Sequence, residues 1–539
     1  MSENQQHIDG GFDLLREPWI TCVTVGGGVD DLGIEELLER AHELSEIVDP
    51  SPLVVASIMR LLEAVLLSAL AIDAEDDWLD LWEAGRFDAA AMAAVRECCE
   101  GRMDLFSGQR PFYQSRDIEV TGKQERQKSV GYLFPDVATR TAVVHYAHAA
   151  EDSHAFCPVC CAKGLTMLPP FATSGGRTFT PSINRVPPTY VFPLGENLFR
   201  TLLLNYVLPD ARPPEARVPD PGPIWAGDGV VGHKEERVSV GFIESLTWQP
   251  RRVRLLAPFS SGACTRCGRV SDRLVCRMVF DPGLSRPKDA APWIDRWAAY
   301  TWQKDKTGKT SGRPEPMRPK EERQTWRDAD ALFLARVPDA EVGSRGRAAR
   351  PVIVNQVARL AGEVRRCGLA AASTARFVAV GIRTSKMKVF EWRLDRFEFP
   401  VSVLDSAAAG LVMRALRHAE TGGKEIGTAL LRLHPGAERE SPSWTDIRAA
   451  MADATGAAAR EYWAALEPKF RSRIFDERLA DHEEAQAAWL AEWISVVRAT
   501  AVSVLERVLS AGDDTADGLR RQEAARHALY SRLKKGGVV

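Results

Sequence analysis

The sequence predicts an α+β protein. A large mixed α/β N-terminal domain over 1–398 carries a zinc-stapled region, and a C-terminal four-helix bundle follows over 399–539. Three observations predict this. Up to Pro400 the chain is rich in glycine, proline and alternating apolar residues, whereas beyond it alanine- and leucine-rich stretches run to the end. Leu490, Ile494, Val497, Ala501, Val504 and Val508 recur at 4-3-4-3-4 spacing, the seam of a helix packed in a left-handed bundle. Two C-x-x-C pairs, Cys157/Cys160 and Cys264/Cys267, stand far apart in the first part of the chain.

Each pair lets two thiolates reach one ion from a tight knuckle. Together they supply the four soft ligands of a closed tetrahedral zinc site, with Zn–S bonds of about 2.3 Å. A filled coordination sphere leaves no position for water, so the expected Zn2+ is structural and clips two distant segments together. Cys161, beside Cys160, could take its place as ligand.

A chain of 539 residues, 45% hydrophobic and 27% charged, suffices for two or three globular domains. Ten cysteines, including the vicinal Cys98-Cys99, suit a reducing cytoplasm better than a disulfide framework. No run of about eighteen apolar residues predicts a membrane span, and the opening MSENQQHIDGG lacks the pattern of a signal peptide. With a formal net charge of −3, any nucleic-acid contact needs a local basic surface or help from partners.

Along the chain, Phe12 to Gly28 reads as a short hairpin, Glu35 to Leu44 as a helix, and Pro52 to Leu70 as a longer core helix. Trp78, Trp82 and Phe87 read as a third helical face. From Gly101 to Pro193 helical periodicity fades, with a polar, mostly basic loop at 122–128 and strand-like residues at 141–147. Leu198 to Val207 reads as a helix and Ser245 to Leu255 as a strand. The second knuckle then caps a hairpin that returns through Arg273 to Phe280. Basic residues from Lys304 to Lys320 are interleaved with Gly and Pro and flanked by Trp293, Trp297, Trp302 and Trp326. That composition fits either a nucleic-acid backbone contact or a solvated loop. Phe377–Ile382 and Lys388–Trp392 form a hairpin with a cation at its tip. Helices near 400–433, 444–474, 482–511 and 516–535 complete the bundle.

No GxxxxGK[ST], GxGxxG after a strand, HExxH or GxSxG occurs. His145, His148 and His154 share no regular face, and the acid pairs are too common to argue acid–base chemistry. The residues favour a zinc-stabilised binding or scaffold protein with no catalytic residues.

The segments FDLLREPWI, RLLEAVLLSAL, LFPDVAT, TPSINRVPPTYVFPLGENLFRTLLLN and LTWQPRRVRLL, taken in this order with the terminal helices, are together distinctive. They resemble the CasA family, the large subunit of the type I-E CRISPR Cascade complex, over nearly the whole chain. The resemblance implies a role in bacterial antiviral defence. The subunit would join other Cascade subunits carrying guide RNA and inspect double-stranded target DNA for a protospacer-adjacent motif through the minor groove. It would then help open the duplex for R-loop formation and recruit a helicase–nuclease.

Residue by residue, the family's minor-groove loop falls on Ala150, Glu151, Asp152 and Ser153, which here lacks glycine and holds two acids. Its wedge, an amide at a hairpin tip in some members, falls on Lys386 with Ser385 beside it. A lysine finger corresponds to one of Lys304, Lys306 or Lys309. Lys123, Arg126 and Lys128 lie in the segment that docks on the guide's 5′ end and on neighbouring subunits.

Overall fold

A computed structural model describes residues 11–118, 127–135, 137, 154–174, 180–257, 259–302, 314–334, 347–368, 373–385, 388–404 and 407–538. The chain forms two compact units. The first comprises Met1–Pro319, Gly343–Ala371 and Arg376–Phe397; the second comprises Lys320–Val342, Ala372–Ala375 and Glu398–Val539. The second unit thus takes in two short segments that precede Pro400, which no composition change marks.

In the first unit, β1 (Ile20–Thr24) pairs antiparallel with β2 (Val29–Leu32) and β3 (Leu44–Ile47), and α1 (Ile34–Glu39) lies between the last two. Leu44 therefore belongs to a strand and not to the end of the predicted helix; helix α1 stops at Arg40 because the chain must turn to reach β1. The central helix α2 (Pro52–Ala69) starts with proline at its first turn and buries nearly all its length. It packs against α4 (Ala89–Cys99), which α3 (Glu75–Ala84) precedes, and against α5 (Pro158–Phe171). Helix α5 lies where periodicity fades in the sequence. It is buried on almost every side, so no polar face marks it, and Pro169 and Pro170 disguise its last turn.

Further along, β4 (Gln127–Ser129), β5 (Tyr190–Leu194), α6 (Leu198–Asn205) and α7 (Phe242–Leu246) precede β6 (Arg251–Leu255), β7 (Ser260–Ala263), β8 (Val270–Leu274) and β9 (Arg277–Pro282). The predicted strand from Ser245 is thus a helix end followed by a strand; Pro250 separates the two. One sheet has the order β4-β9-β6, and β7-β8 is a separate hairpin. Then come β10 (Tyr300–Trp302), β11 (Glu315–Pro316), α8 (Ala329–Leu332) of the second unit, β12 (Arg347–Ala349) and α9 (Val352–Arg366). The hairpin β13 (Thr374–Ser385) and β14 (Lys388–Pro400) joins β5 in a sheet of order β14-β13-β5.

Beyond α10 (Val401–Leu404), the second unit is built from α11 (Ala407–Leu430), α12 (Trp444–Ala450), α13 (Ala452–Arg473), α14 (Glu483–Ser510) and α15 (Ala516–Lys535). Helices α11, α13, α14 and α15 form the four-helix bundle. Gly422 and Gly423 let α13 approach α11 closely. A Cβ on the first would lie 2.3 Å from the Tyr462 hydroxyl, and one on the second 2.7 Å from the Trp463 ring. Tyr462 donates to the Ala419 carbonyl at 2.8 Å, and Trp493 Nε1 to that of Ala415 at 2.8 Å. The seam of α14 is carried by Trp489, Trp493, Val497, Ala501 and Val504, with Leu490, Ile494 and Val508 only half-buried. Two large indoles one position earlier in each turn outweigh the aliphatic stripe, because they bury more area.

Helices α2 and α14 reach the length and hydropathy of a membrane span, at mean hydropathy 1.8 and 1.3. The apolar window of α2 is 83% buried in the fold.

Two charged residues lie within that buried helix. Arg60 forms a two-pronged ion pair with Asp295, at 3.1 and 2.9 Å, with both side chains at most 3% exposed. Its guanidinium also lies 4.7 Å from the Tyr190 ring centre and 5.2 Å from that of Trp297. Asp295→Ala leaves a buried guanidinium without its carboxylate and is expected to cost about 3–5 kcal/mol of stability. The double replacement Arg60→Met, Asp295→Leu should recover most of that loss in urea unfolding. A double variant as unstable as the single one would contradict the coupling.

Glu63, one turn on, is fully buried, and neither carboxylate oxygen has a hydrogen-bond partner. Burial raises its pKa well above the usual carboxylate value. The unfolded chain titrates Glu near 4.3, so the stability conferred by the neutral acid is complete below about pH 4.3. It is lost as pH rises towards the folded pKa. Glu63→Gln should therefore match the wild type in acid and exceed it in urea midpoint at pH 7. A constant difference between the two across this range would contradict the assignment.

Candidate metal centre

Cys157 is the N-cap of α5, Pro158 opens the helix, and Cys160 lies in its first turn. The helix N-terminus presents positive potential to both thiols, which favours thiolate. Cys264 and Cys267 occupy the turn between β7 and β8. There the Gly268 N–H donates to the Cys264 carbonyl at 2.9 Å, and that of Cys264 to the Arg269 carbonyl at 2.8 Å. Gly268 has φ +74°, a left-handed turn conformation that L side chains rarely adopt.

Backbone contacts bring the knuckles together. Thr265 N–H donates to the Ala155 carbonyl at 2.9 Å, and Ala155 N–H to Thr265 Oγ1 at 3.1 Å. Phe156 and Val275 exchange both backbone hydrogen bonds, at 2.9 and 2.8 Å. Arg269 reaches back to Asp31 on β2, and the Arg266 guanidinium lies 3.5 Å from the Phe134 ring centre. Neither Thr265 nor Asp31 stands out in the sequence; only the position of Thr265 inside the knuckle hints at its part.

The four sulfurs of Cys157, Cys160, Cys264 and Cys267 all lie within 4.8 Å of one another, the first three residues buried and Cys267 exposed. Tetrahedral thiolates at about 2.3 Å from an ion stand about 3.8 Å apart, and Cys157 Sγ and Cys267 Sγ are 3.6 Å apart. The donor set thus fits a soft, tetrahedral metal ion. The sulfurs are not equivalent. Hydrogen bonds from Cys157 and Cys160 pull the Cys264 thiol well below its usual value, and a backbone N–H from Cys157 reaches its sulfur at 3.3 Å. Bonds to Cys157 and Cys264 push Cys160 upward in turn. Four thiols this close hold their protons in competition, which a divalent cation relieves by displacing them. Cys161 lies outside the cluster. Its Sγ faces the Phe156 carbonyl at 3.7 Å, and burial raises its pKa.

The other expected site residues are less fully placed. Lys128 is half-buried on β4, opposite Met278 of β9. Ser385 ends β13. Lys386, Lys304, Lys306, Lys309, Ala150, Glu151, Asp152, Ser153, Lys123 and Arg126 lie outside the described residues, as do 141–147, His145 and His148. His154 is described, with its ring against Gly131.

A family model for CRISPR-associated protein Cse1 matches residues 13–503. The chain is 29% identical over 503 residues to CRISPR-associated protein CasA/Cse1 of Thermus thermophilus, spanning 89% of this chain and 91% of that protein. The crystal structure of Thermus thermophilus CasA is similar at TM-score 0.74 and 24% identity, over 98% of this chain and 100% of that one. Cse1 from Acidimicrobium ferrooxidans gives 0.74 at 22% identity, over 98% of each chain. A chain from a structure described as a CRISPR RNA-guided surveillance complex gives 0.70 at 20% identity, over 96% of this chain and 99% of that one. These likenesses share the fold, and with a sequence match running through both units, the chain belongs to the Cse1 (CasA) family of CRISPR-associated proteins.

Proposed function

We infer that this protein is the large, non-catalytic subunit of an RNA-guided Cascade complex. It reads the protospacer-adjacent motif in duplex DNA, helps open the duplex for R-loop formation and recruits a helicase–nuclease. The observation that carries this reading is membership of the Cse1 family over residues 13–503. Placement of flanking elements supports the DNA contacts. Ala155, pinned to Thr265, stands two residues beyond the proposed reading loop Ala150–Ser153. Strand β10 ends at Trp302, just before Lys304, Lys306 and Lys309, one of which serves as the lysine finger. Strands β13 and β14 flank Lys386, the proposed wedge, with Ser385 beside it. Lys123, Arg126 and Lys128 dock on the guide and neighbouring subunits.

The metal of the four-cysteine cluster is Zn2+ in this reading, and its role is structural. Four thiolates fill a tetrahedral sphere, so the ion adds rigidity at the root of the reading loop and no reactive water. Wild-type protein should carry one zinc per chain. Cys157→Ser with Cys264→Ser should lose it and melt at least about 5 °C lower. Metal analysis finding no zinc in the wild type would contradict the assignment.

The functional reading is tested by target-duplex affinity of the guide-RNA complex, with and without this subunit, across a library of flanking motifs. The subunit should tighten binding at least tenfold for some motifs and little for others. Uniform tightening would make it a clamp, and no tightening a scaffold.

A further inference from the structure

Cys98 and Cys99 are the last two residues of α4. Cys99 is fully buried and Cys98 half-buried, and neither joins the four-cysteine cluster. The chain turns at Gly101, where φ is +68°. Arg102 then folds back, and its Nη1 donates to the Cys98 carbonyl at 3.3 Å. Trp225, on a short helical turn at Ile224–Ala226, comes from a distant stretch of the same unit. Its side chain is buried, and its Nε1–H has no hydrogen-bond partner of ordinary length. The acceptor it faces is the Cys98 sulfur, which Ser68 of α2 also faces.

A neutral thiol is a weak acceptor and leaves that indole N–H poorly satisfied, whereas a thiolate accepts it well. The surroundings favour the charge on Cys98. A hydrogen bond from the Cys99 thiol acts most strongly, opposed by desolvation and helped by the Trp225 N–H, the Arg102 charge and Ser68. Together they bring Cys98 down to about 7. Cys99 is pushed upward by its hydrogen bond to Cys98 and then by burial, with Asp13 adding to this and Arg102 opposing it. The C-terminal end of α4 works against a thiolate, so the side-chain donors decide.

A half-buried thiolate beside a thiol that keeps its proton is an arrangement suited to reaction with peroxide. We propose that Cys98 and Cys99 are an oxidant-sensitive dithiol, with Cys98 held as the attacking thiolate by Trp225 and a hydroperoxide as the oxidant. The Cys98 sulfur attacks the terminal peroxide oxygen and the O–O bond breaks. The leaving alkoxide or hydroxide takes a proton from solvent, and Cys98 becomes a sulfenic acid. The Cys99 sulfur then attacks that of Cys98; the S–O bond breaks, and the hydroxyl leaves with the Cys99 proton as water. Two electrons pass from the two sulfurs to the peroxide, and the product is a disulfide between adjacent residues. Such a bond joins Cα atoms about 3.8 Å apart, closer than the usual range of about 4.4–6.8 Å. It is therefore strained and readily reduced by thiols. Neighbouring side chains diverge by about 100° on a helix, so the last turn of α4 opens as the bond forms. The site is independent of the DNA-reading assignments.

The test treats the full-length chain with a small excess of hydrogen peroxide, alkylates the remaining thiols and weighs the tryptic peptides. Peptide Glu97–Arg102 should be lighter by two hydrogens and take no alkyl group, then take two after dithiothreitol. In Cys99→Ser, a 1,3-dione should trap the sulfenic acid on Cys98. Trp225→Phe keeps a ring of similar shape and removes the N–H. It should slow alkylation of Cys98 at pH 7 about threefold or more and leave the rate nearly unchanged at pH 10, where the sulfur is ionised in any case. Exposed Cys367, at the end of α9, is the internal control. A peptide that still takes two alkyl groups once Cys367 has been oxidised would overturn the proposal. Sulfinic acid on Cys98 with Cys99 left free would overturn it too, as would equal slowing by Trp225→Phe at both pH values. Should Trp225→Phe not fold, the dione adduct in Cys99→Ser decides alone. Failure of the motif-library experiment leaves these measurements untouched.

Discussion

The first unit depends on one buried ion pair. Arg60 on α2 and Asp295, in the segment leading to β10, meet with almost no solvent, where an uncompensated charge is most costly. The carboxylate's remaining valences are filled, while Arg60 Nε is buried without a hydrogen-bond partner. Asp295 Oδ1 also accepts from the Trp297 N–H at 3.1 Å, and Oδ2 from Asn184 Nδ2 at 3.3 Å. The Asp295 N–H donates to the Tyr300 hydroxyl at 2.8 Å, and that hydroxyl donates to the Trp293 carbonyl at 3.1 Å. Trp297 Nε1 reaches Asn205 Oδ1 at 3.0 Å, and Asn205 Nδ2 binds the Pro193 carbonyl at 2.8 Å. One network thus joins α2, the end of α5 through Tyr190 and Pro170, strand β5, helix α6 and the approach to β10. Strand β10, which ends just before Lys304, follows directly from this network, and β13 is joined to it by pairing with β5.

The cysteine cluster works on a different principle. Its knuckles are joined by five backbone and hydroxyl hydrogen bonds around Ala155, Phe156, Thr265 and Val275, and these hold the sulfurs near one another. Each such bond contributes about 1 kcal/mol net, and the exposure of Cys267 leaves that side open to water. A metal would close the cluster where the ladder does not reach. Order at Ala155 therefore has two sources, one fixed by pairing and one set by thiolate charge.

Legibility followed the range of the interaction responsible. The bundle could be read from Pro400 onward because its helices carry local signals, and the four-cysteine set because C-x-x-C spacing is itself the knuckle geometry. The end of the helix after Glu39 and the start of β6 were displaced, since turns forced by distant partners decide both. Helix α5 was invisible for the opposite reason: burial on nearly all sides removes the polar face that periodicity needs. The Arg60–Asp295 pair spans 235 residues. Within α2 the arginine reads only as a polar interruption of an apolar run. Glu63 beside it carries no sequence signal that its carboxyl would be left without a partner.

Charge shows the same contrast between sum and arrangement. A net charge of −3 argues against a polycation, yet it says nothing about which charges cancel. In the second unit many arginines are neutralised locally by carboxylates, some of them on a neighbouring helix, as with Arg526 and Glu506 or Arg532 and Glu425. Such exposed pairs add little stability, about 0–1 kcal/mol each. Their larger consequence is a flattened field, since an ion pair seen from beyond a Debye length of about 8 Å is nearly invisible. Against that background the exposed cations without an ion pair among the described residues, such as Arg414, Arg417, Arg439, Arg448 and Arg498, weigh more locally than the net charge suggests.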